Sequence, residues 1–409
     1  MVEGQNITGN AANRIVIIDS LRGFSLFGIL MSHLSLLFEA FDSSTLSMPH
    51  ASISNIIISV LNGIFISGKF FAIFAFLFGL SFYIQMDRAV QKGIHYRWRF
   101  LWRIIILMVV GYIHSLLFSG DILIIYAILG IFLVFLFKAR NNVLVLLIIA
   151  LLSGAPRYIT YGIQHFHGST ITSVGKEKME EQLKEMSLLY QDGSFEEVVR
   201  FNAVDGLIMK ANYQLGIEGR GYQTLALFFL GLLIGRLRYF ERIAENMPLT
   251  RKVFRRSIWF TLGFLVLAAG LFALSKGDME KFIFLVAMTF YNLFNLSLAL
   301  LITTAFIILY QKEKPQKFLN TLVPYGKMGL TNYLMQSIIF IPLFYGFGFG
   351  LAKHINLATG IGLGIVVYYL QVLFSKWWLN NFIYGPFEWL WRSLTWLKWQ
   401  PMVRWKHIV

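Results

Sequence analysis

The chain has 409 residues, of which 57% are hydrophobic and 14% charged, and its mean hydropathy is +0.63. A soluble domain carries about 25% charged residues, so the composition excludes a soluble globular protein and points to an integral membrane protein. The lack of cysteine excludes disulfides, thiolate catalysis, iron–sulfur clusters and cysteine-ligated zinc. The formal charge of +15 does not indicate nucleic acid, because the basic residues collect in short loops between apolar runs.

Residues 1–14 are polar and lack the apolar h-region and cleavage site of a removed signal peptide. The first span then runs from Ile15 to Phe38 and carries Asp19, Arg22 and His33. Ionisable groups in hydrocarbon are costly, so they face a protein interior and serve an ion pair, a substrate path or a chemical step. Arg22 and His33 are eleven residues apart, close to three turns, which puts them on one helix face roughly 16 Å apart. Asp19 lies one turn before Arg22 and can pair with it.

Further along, the apolar run 53–85, interrupted by SGKFF at 67–71, reads as one tilted helix or as a short interfacial helix and a span. Spans follow at about 101–118, from the Ser119-Gly120-Asp121 turn to Phe137, and at 142–163. Segment 164–221 is the one long polar stretch and reads as amphipathic helices around 175–192 and 194–211. Spans at 222–239, 257–274, 282–310, 329–349 and 358–382 lead to the aromatic, basic tail 386–409, which suits an interfacial helix. Loops 86–100, 138–141, 236–256, 311–327 and the tail are basic, and the loops between them are not. This alternation predicts an all-α polytopic membrane bundle of about ten helices. Both termini then lie in the cytoplasm and 164–221 forms an extracytoplasmic helical insertion. One membrane domain, 1–409, is the simplest division.

His33 is the leading candidate for chemistry. A histidine titrates near neutral pH and can act as a general base for a hydroxyl or amine, or it can be a hydrogen-bonded residue of a helix interface. Asp19 and Arg22 suit phosphate or carboxylate binding or a structural ion pair. Arg103 and His114 repeat the eleven-residue spacing in another span. Asp121 would orient an imidazole, His33 or His114, in an acid/base pair, or cap a helix. Lys69 either meets an anionic ligand or snorkels to the interface. Asn332 and Gln336 share a helix face, lining a polar cavity or bonding helices together. Pro386, Glu388 and Arg392 read as a helix start with an i,i+4 salt link. No phosphate loop, HExxH or GxSxG motif is present, and His165 and His167 lack acidic partners at ligand spacing, so no metal site is expected.

IDSLRGFSLFGILMSHL (18–34), GKFFAIFAFLFG (68–79), GYIHSLLFSGDILIIYAILG (111–130) and the C-terminal YGKMGLTNYLMQS and YGPFEWLWRSLTW together resemble the bacterial YeiB-like membrane family, also known as domain of unknown function 418. The resemblance covers nearly the whole chain. It implies either a transporter or a relative of transmembrane acyltransferases of the heparan-glucosaminide acetyltransferase and acyltransferase family 3 types. The latter type carries an Arg and a His separated by ten residues in the first span, matched here by Arg22 and His33. The resemblance also implies that His114 and Asp121 line the central cavity.

The expected function is acyl transfer from a cytoplasmic donor, acyl-coenzyme A, to an extracytoplasmic hydroxyl or amine. Arg22, Asp19 and Arg103, with Lys69, Asn332 and Gln336 on the substrate path, would bind donor and substrate, and His33 would act as base with His114 and Asp121. The alternative is a small-solute permease using the same cavity, and a weaker one is a lipid-binding scaffold. Expected partners are the bilayer of a bacterial cytoplasmic membrane, acyl-coenzyme A and a cell-envelope glycan or lipid, with a homodimer left open. No permanently bound cofactor is expected.

Overall fold

A computed structural model describes residues 15–42, 53–94, 96–166, 173–216, 219–276, 278 and 281–404. The polar start 1–14, most of the 39–52 loop, His167, Glu218 and the last five residues lie outside the described residues. The architecture is an all-α bundle. Its one extended feature among the described residues is an isolated antiparallel bridge between Phe382 and Val403.

Helix α1 (Val16–Asp42) is the central post. Of its most apolar stretch, 67% is buried against the rest of the molecule, and Leu21, Leu26, Leu30 and Met31 are almost fully buried. The 53–85 run proves to be two pieces. Helix α2 (Ile53–Leu61) passes through a π-helical turn, Asn62–Ile66, to Gly68 at φ +84°, and α3 (Lys69–Gln91) begins there. Only glycine enters that left-handed region without strain. Next come α4 (Arg97–Ser115) and α5 (Leu123–Leu136). The predicted span 142–163 is bent by 55° between α6 (Asn141–Leu152) and α7 (Ala155–Phe166).

The polar stretch forms α8 (Ser173–Asp192) and α9 (Phe195–Leu215). Ser194 and Glu197 start α9 with a reciprocal capping box, which satisfies two backbone donors that a helix start otherwise leaves open. The remaining helices are α10 (Arg220–Arg236), α11 (Met247–Ser275), α12 (Phe282–Tyr310), α13 (Glu313–Leu319), α14 (Val323–Lys327), α15 (Gly329–Phe344), α16 (Leu357–Asn381) and α17 (Pro386–Trp396).

Among the described residues six helical segments are long and apolar enough to cross a membrane: α1, α2 with α3, α4, α11, α12 and α16. The bent α6–α7 pair makes a seventh if it is one span. Helices α5, α10 and α15 have 14, 17 and 16 residues. At about 1.5 Å per residue they fall short of a hydrocarbon core of about 30 Å.

Small residues set the closest helix contacts, as expected where lipid and side chains are equally apolar. Helices α3 and α10 run parallel and cross at Gly79 and Gly231. A methyl group on either would stand 2.1 or 2.2 Å from the partner's carbonyl oxygen, at Phe228 or Phe76. Helix α14 meets α1 in the same way at Gly326. Helix α11 is peripheral, with 17% of its apolar stretch buried. The α8–α9 pair docks over one end of α4 and α15. There the Gly346 N–H donates to Tyr190 O (2.9 Å) and Asn202 Nδ2 donates to Leu116 O (3.1 Å). Helix α17 lies along the other end of α4. Trp391 Nε1 donates to Arg103 O (3.0 Å), and the Arg103 guanidinium stacks 3.7 Å from the Trp391 ring.

Candidate functional site

Where α8 and α9 cover the bundle, four elements bring polar groups together. His114, in the last turn of α4, and Asp121, just ahead of α5, are joined by a tight turn, and His114 Nδ1 lies 2.7 Å from Asp121 Oδ1. The other ring nitrogen, Nε2, lies 2.7 Å from Ser337 Oγ on α15. A carboxylate only accepts, so the Nδ1–H donates to Asp121. Nε2 of the neutral ring is then the acceptor for the Ser337 hydroxyl. All three residues are buried. The geometry is that of a hydroxyl nucleophile, an imidazole base and an orienting carboxylate.

Asp121 is held from several sides. Its Oδ2 accepts the Ile124 N–H (3.1 Å), the helix-cap role the sequence also allows. The Tyr333 hydroxyl contacts Oδ1 (3.4 Å) while accepting the Ile122 N–H (3.2 Å). The expected alternatives for its imidazole partner thus resolve to His114. His33 is held by rings instead, edge-on to Phe118 (4.9 Å) and Tyr333 (5.5 Å). The same two rings flank His114, so the two imidazoles are neighbours. His33 and Ser337 also line one cavity, with Gln336, Phe118, Leu34 and Phe340. Its volume is about 20 Å³, room for one water.

Sequence reasoning missed Ser337 and, on α9, Lys210. Lys210 is buried, its Nζ lies 4.0 Å from Asp121 Oδ2, and it makes no hydrogen bond. A signal for it exists in the chain: Val198, Asn202, Gly206, Lys210 and Gln214 recur every four residues as the buried stripe of α9. Burial pushes the Lys210 ammonium below the ordinary lysine range, with Asp121 opposing. The fold therefore favours the neutral amine, and stability rises as pH climbs through the lowered value toward that of an unfolded lysine. Lys210→Met is expected to remove that alkaline gain, because a thioether of similar length does not titrate. Melting curves across pH check this, and a Met variant that keeps the alkaline rise contradicts it.

At the opposite end of α15 lies the second cluster. Arg22 Nη1 pairs with Asp19 Oδ1 (2.9 Å) and reaches Gly326 O (3.4 Å), and Nη2 donates to Ser81 Oγ (2.8 Å). The pair thus ties α1 to α3 and α14, while 22% of the Arg22 side chain remains exposed. Arg103 is not beside this pair but stacked on α17. Glu388 does not form the expected salt link with Arg392, whose Nε is unpaired and whose guanidinium faces Tyr384. Instead it caps the start of α15, accepting from Leu330 N (2.6 Å), Thr331 N (3.0 Å) and Thr331 Oγ1 (2.5 Å). Burial pushes the Glu388 carboxyl above the usual range, and those donors act the other way. An unfilled helix N-terminus is a stronger attraction for a carboxylate than an arginine one turn away.

Asn332 and Gln336 bond helices together. Asn332 Nδ2 donates to Tyr325 O (3.0 Å) and Ser375 Oγ (2.9 Å), and Gln336 Nε2 donates to Tyr325 Oη (3.0 Å). Gln336 also reaches the His33 cavity, where its Oε1 has no partner. Lys69 belongs to neither cluster; its Nζ donates to Gly63 O (2.6 Å).

Comparison with known proteins gives the chain relatives over its full length. The uncharacterized protein YxaH of Bacillus subtilis (strain 168) is 30% identical over 407 residues, 96% of each chain. The chain belongs to the DUF418/YeiB-like family. The model of that family, described as "Protein of unknown function (DUF418)", matches residues 234–398. An uncharacterized 39.9 kDa protein in the amylase 3′ region of Bacillus acidopullulyticus is 24% identical over 95% of this chain and 96% of its own. The uncharacterized protein YeiB of Escherichia coli (strain K12) is 46% identical over 70 residues, 17% of this chain and 18% of its own. No solved structure matches. The matched region of the family model contains Tyr333, Gln336 and Ser337, and the partners His33, His114 and Asp121 lie upstream of it.

Proposed function

We propose that the chain is a membrane-embedded acyltransferase that moves an acyl group from a cytoplasmic thioester, acyl-coenzyme A, to a hydroxyl or amine on a cell-envelope glycan or lipid. The observation that carries the reading is the Asp121–His114–Ser337 hydrogen-bonded series ending at the cavity that His33 lines. In this reading the chain makes ten spans, counting α5, α10, α15 and the bent α6–α7 pair. Both termini are cytoplasmic, α8–α9 form the outer insertion and α17 lies at the inner interface, in keeping with the alternation of basic loops. Arg22, oriented by Asp19, and Arg103 then stand at the inner end, where donor phosphates arrive, and the imidazoles stand toward the outer end.

The chemistry runs in two steps. Ser337 Oγ attacks the thioester carbonyl as its proton passes to His114 Nε2, and Asp121 stabilises the imidazolium. Collapse breaks the C–S bond, the departing thiolate takes that proton, and an ester to Ser337 remains. An acceptor hydroxyl entering the cavity then gives its proton to His33 and attacks the ester carbonyl. His33 returns the proton to Ser337 Oγ as that bond breaks.

The test is intact-mass measurement of purified protein incubated with acyl-coenzyme A and no acceptor. The expected result is a mass gain of one acyl group, mapped to Ser337 and lost on adding an envelope acceptor. Absence of any adduct together with absence of acyl transfer to extracted envelope lipids and glycans overturns the reading. A permease is favoured by one specific observation: the Lys210–Asp121 pair, 4.0 Å apart with no hydrogen bond, is loose enough for a solute or proton to part. Solute uptake into proteoliposomes with no covalent change would select that reading.

A further inference from the structure

Helices α3 and α10 run parallel through the Gly79 and Gly231 crossing, so their N-termini stand side by side. Both open on a glycine in the left-handed region, Gly68 (φ +84°) and Gly219 (φ +60°), and neither has a side-chain cap. The first residue of each is a cation, Lys69 and Arg220. A methyl group on Gly68 would stand 3.0 Å from Arg220 Nη1 and 3.4 Å from Asn295 Cγ, so guanidinium and amide converge there.

Lys69 is fully buried. Its Nζ has a single backbone acceptor, Gly63 O, and lies 5.0 Å from the Phe294 ring. The charge that acts on it is that of Arg220, another cation. Among the described residues neither is paired with a carboxylate, and the Arg220 guanidinium faces the Tyr213 ring, at 5.8 Å. On α12, Asn295 Oδ1 and, one turn earlier, Asn292 Nδ2 are also without partners, at 3% and 4% exposure. Two adjacent cations at the positive ends of two helices are costly unless an anion completes them, and the buried Asn295 oxygen, an acceptor, calls for a hydroxyl donor on the same ligand.

We propose that this cluster is a binding site for a phosphate group, held by Lys69 and Arg220 at the paired helix starts, with Asn295 Oδ1 accepting from a hydroxyl of the same ligand. Phosphate matches a guanidinium fork and a point charge together, and helix N-termini add backbone donors and a favourable field. The phosphate is that of a lipid headgroup. The site adjoins the α2–π-turn segment, whose Ile56, Ile57, Val60 and Phe65 are each more than half exposed and form a wall suited to acyl chains. The inference needs the chain in a bilayer but not the acyl-transfer reading.

The experiment is binding to the full-length protein in detergent, by native mass spectrometry and thermal shift. The probes are phosphatidylglycerol, a diacylglycerol with the same chains and inorganic phosphate. Phosphatidylglycerol is expected to bind and stabilise where diacylglycerol does not, and Arg220→Gln is expected to weaken it about tenfold or more, the loss of one charge-assisted contact. Lys69→Gln is expected to act likewise. If that buried substitution prevents folding, the half-buried Arg220 variant decides alone. An equal, Arg220-dependent shift with inorganic phosphate would keep the site and overturn the lipid as its source. Binding that Arg220→Gln leaves unchanged, or diacylglycerol binding equal to phosphatidylglycerol, overturns the site.

Discussion

Ser337→Ala, His114→Ala and Asp121→Asn are each expected to lower acyl transfer roughly 10³- to 10⁴-fold, with double variants scarcely worse than single ones. In the proposed mechanism the three residues act in series. Without the Ser337 hydroxyl there is no nucleophile. Without His114 its proton has no acceptor within 2.7 Å. With Asn at 121 the amide oxygen stays with the Ile124 N–H and the NH2 turns to Nδ1, so the ring proton moves to Nε2, which no longer faces Ser337 as a base. His33→Ala should behave differently. It leaves the first step intact and removes the acceptor's base, so acyl-Ser337 accumulates, read as a burst equal to the enzyme concentration followed by a slow steady state. Helicity and gel-filtration profile serve as fold controls, of most weight for Asp121→Asn, which leaves Lys210 buried beside a neutral amide. A Ser337→Ala enzyme within twofold of wild type would remove the covalent step from the mechanism.

The parts of this site that are legible in the sequence are those close along the chain. Asp19 and Arg22 are one turn apart, and their pairing follows from helix geometry alone. His114 and Asp121 are separated by a tight turn, which brings them within reach of each other, although the sequence leaves His33 as an alternative partner. The helices of the polar insertion are equally legible from amphipathic spacing and the Ser194–Glu197 capping box. What periodicity cannot supply is the neighbour across a helix interface. Ser337 is 223 positions from His114, and a serine one residue past Gln336 in an apolar run carries no mark of the ring it faces. Lys210 reads as one charge of a solvated stretch because its partner lies on another element. Glu388 departs from expectation for a related reason: local spacing offers Arg392, and the open start of α15 competes successfully from 58 residues away. Span length is the least legible quantity: α15 stops at Phe344 although Tyr345, Phe347 and Phe349 follow, because the chain there turns to bond Gly346 N–H to Tyr190 O.

Gly326→Ala is expected to cost about 3 kcal/mol or more, above the usual range for overpacking, and to leave little folded protein after extraction. The added carbon would fall 1.8 Å from Asp19 O and 2.8 Å from Gly23 N. Both are backbone atoms of the central helix, so no rotamer change can relieve the clash, and α1 and α14 must separate. Separation breaks the Arg22 contact to Gly326 O. It also strains the Tyr325 hydroxyl that joins Gln336 to Gln371. Those bonds fix the register of α15, and α15 carries Ser337, so any Gly326→Ala protein that survives should also lose activity. Gly263→Ala supplies the contrast: a methyl group there meets nothing within 4 Å, and the helix propensity of alanine over glycine, about 1 kcal/mol, should leave the variant as stable as wild type or slightly more so. Melting temperatures of the two variants, measured by fluorescence-detected gel filtration, separate the contact from the mere presence of a methyl group. Equal melting of both would mean that α1 and α14 are not held at this distance.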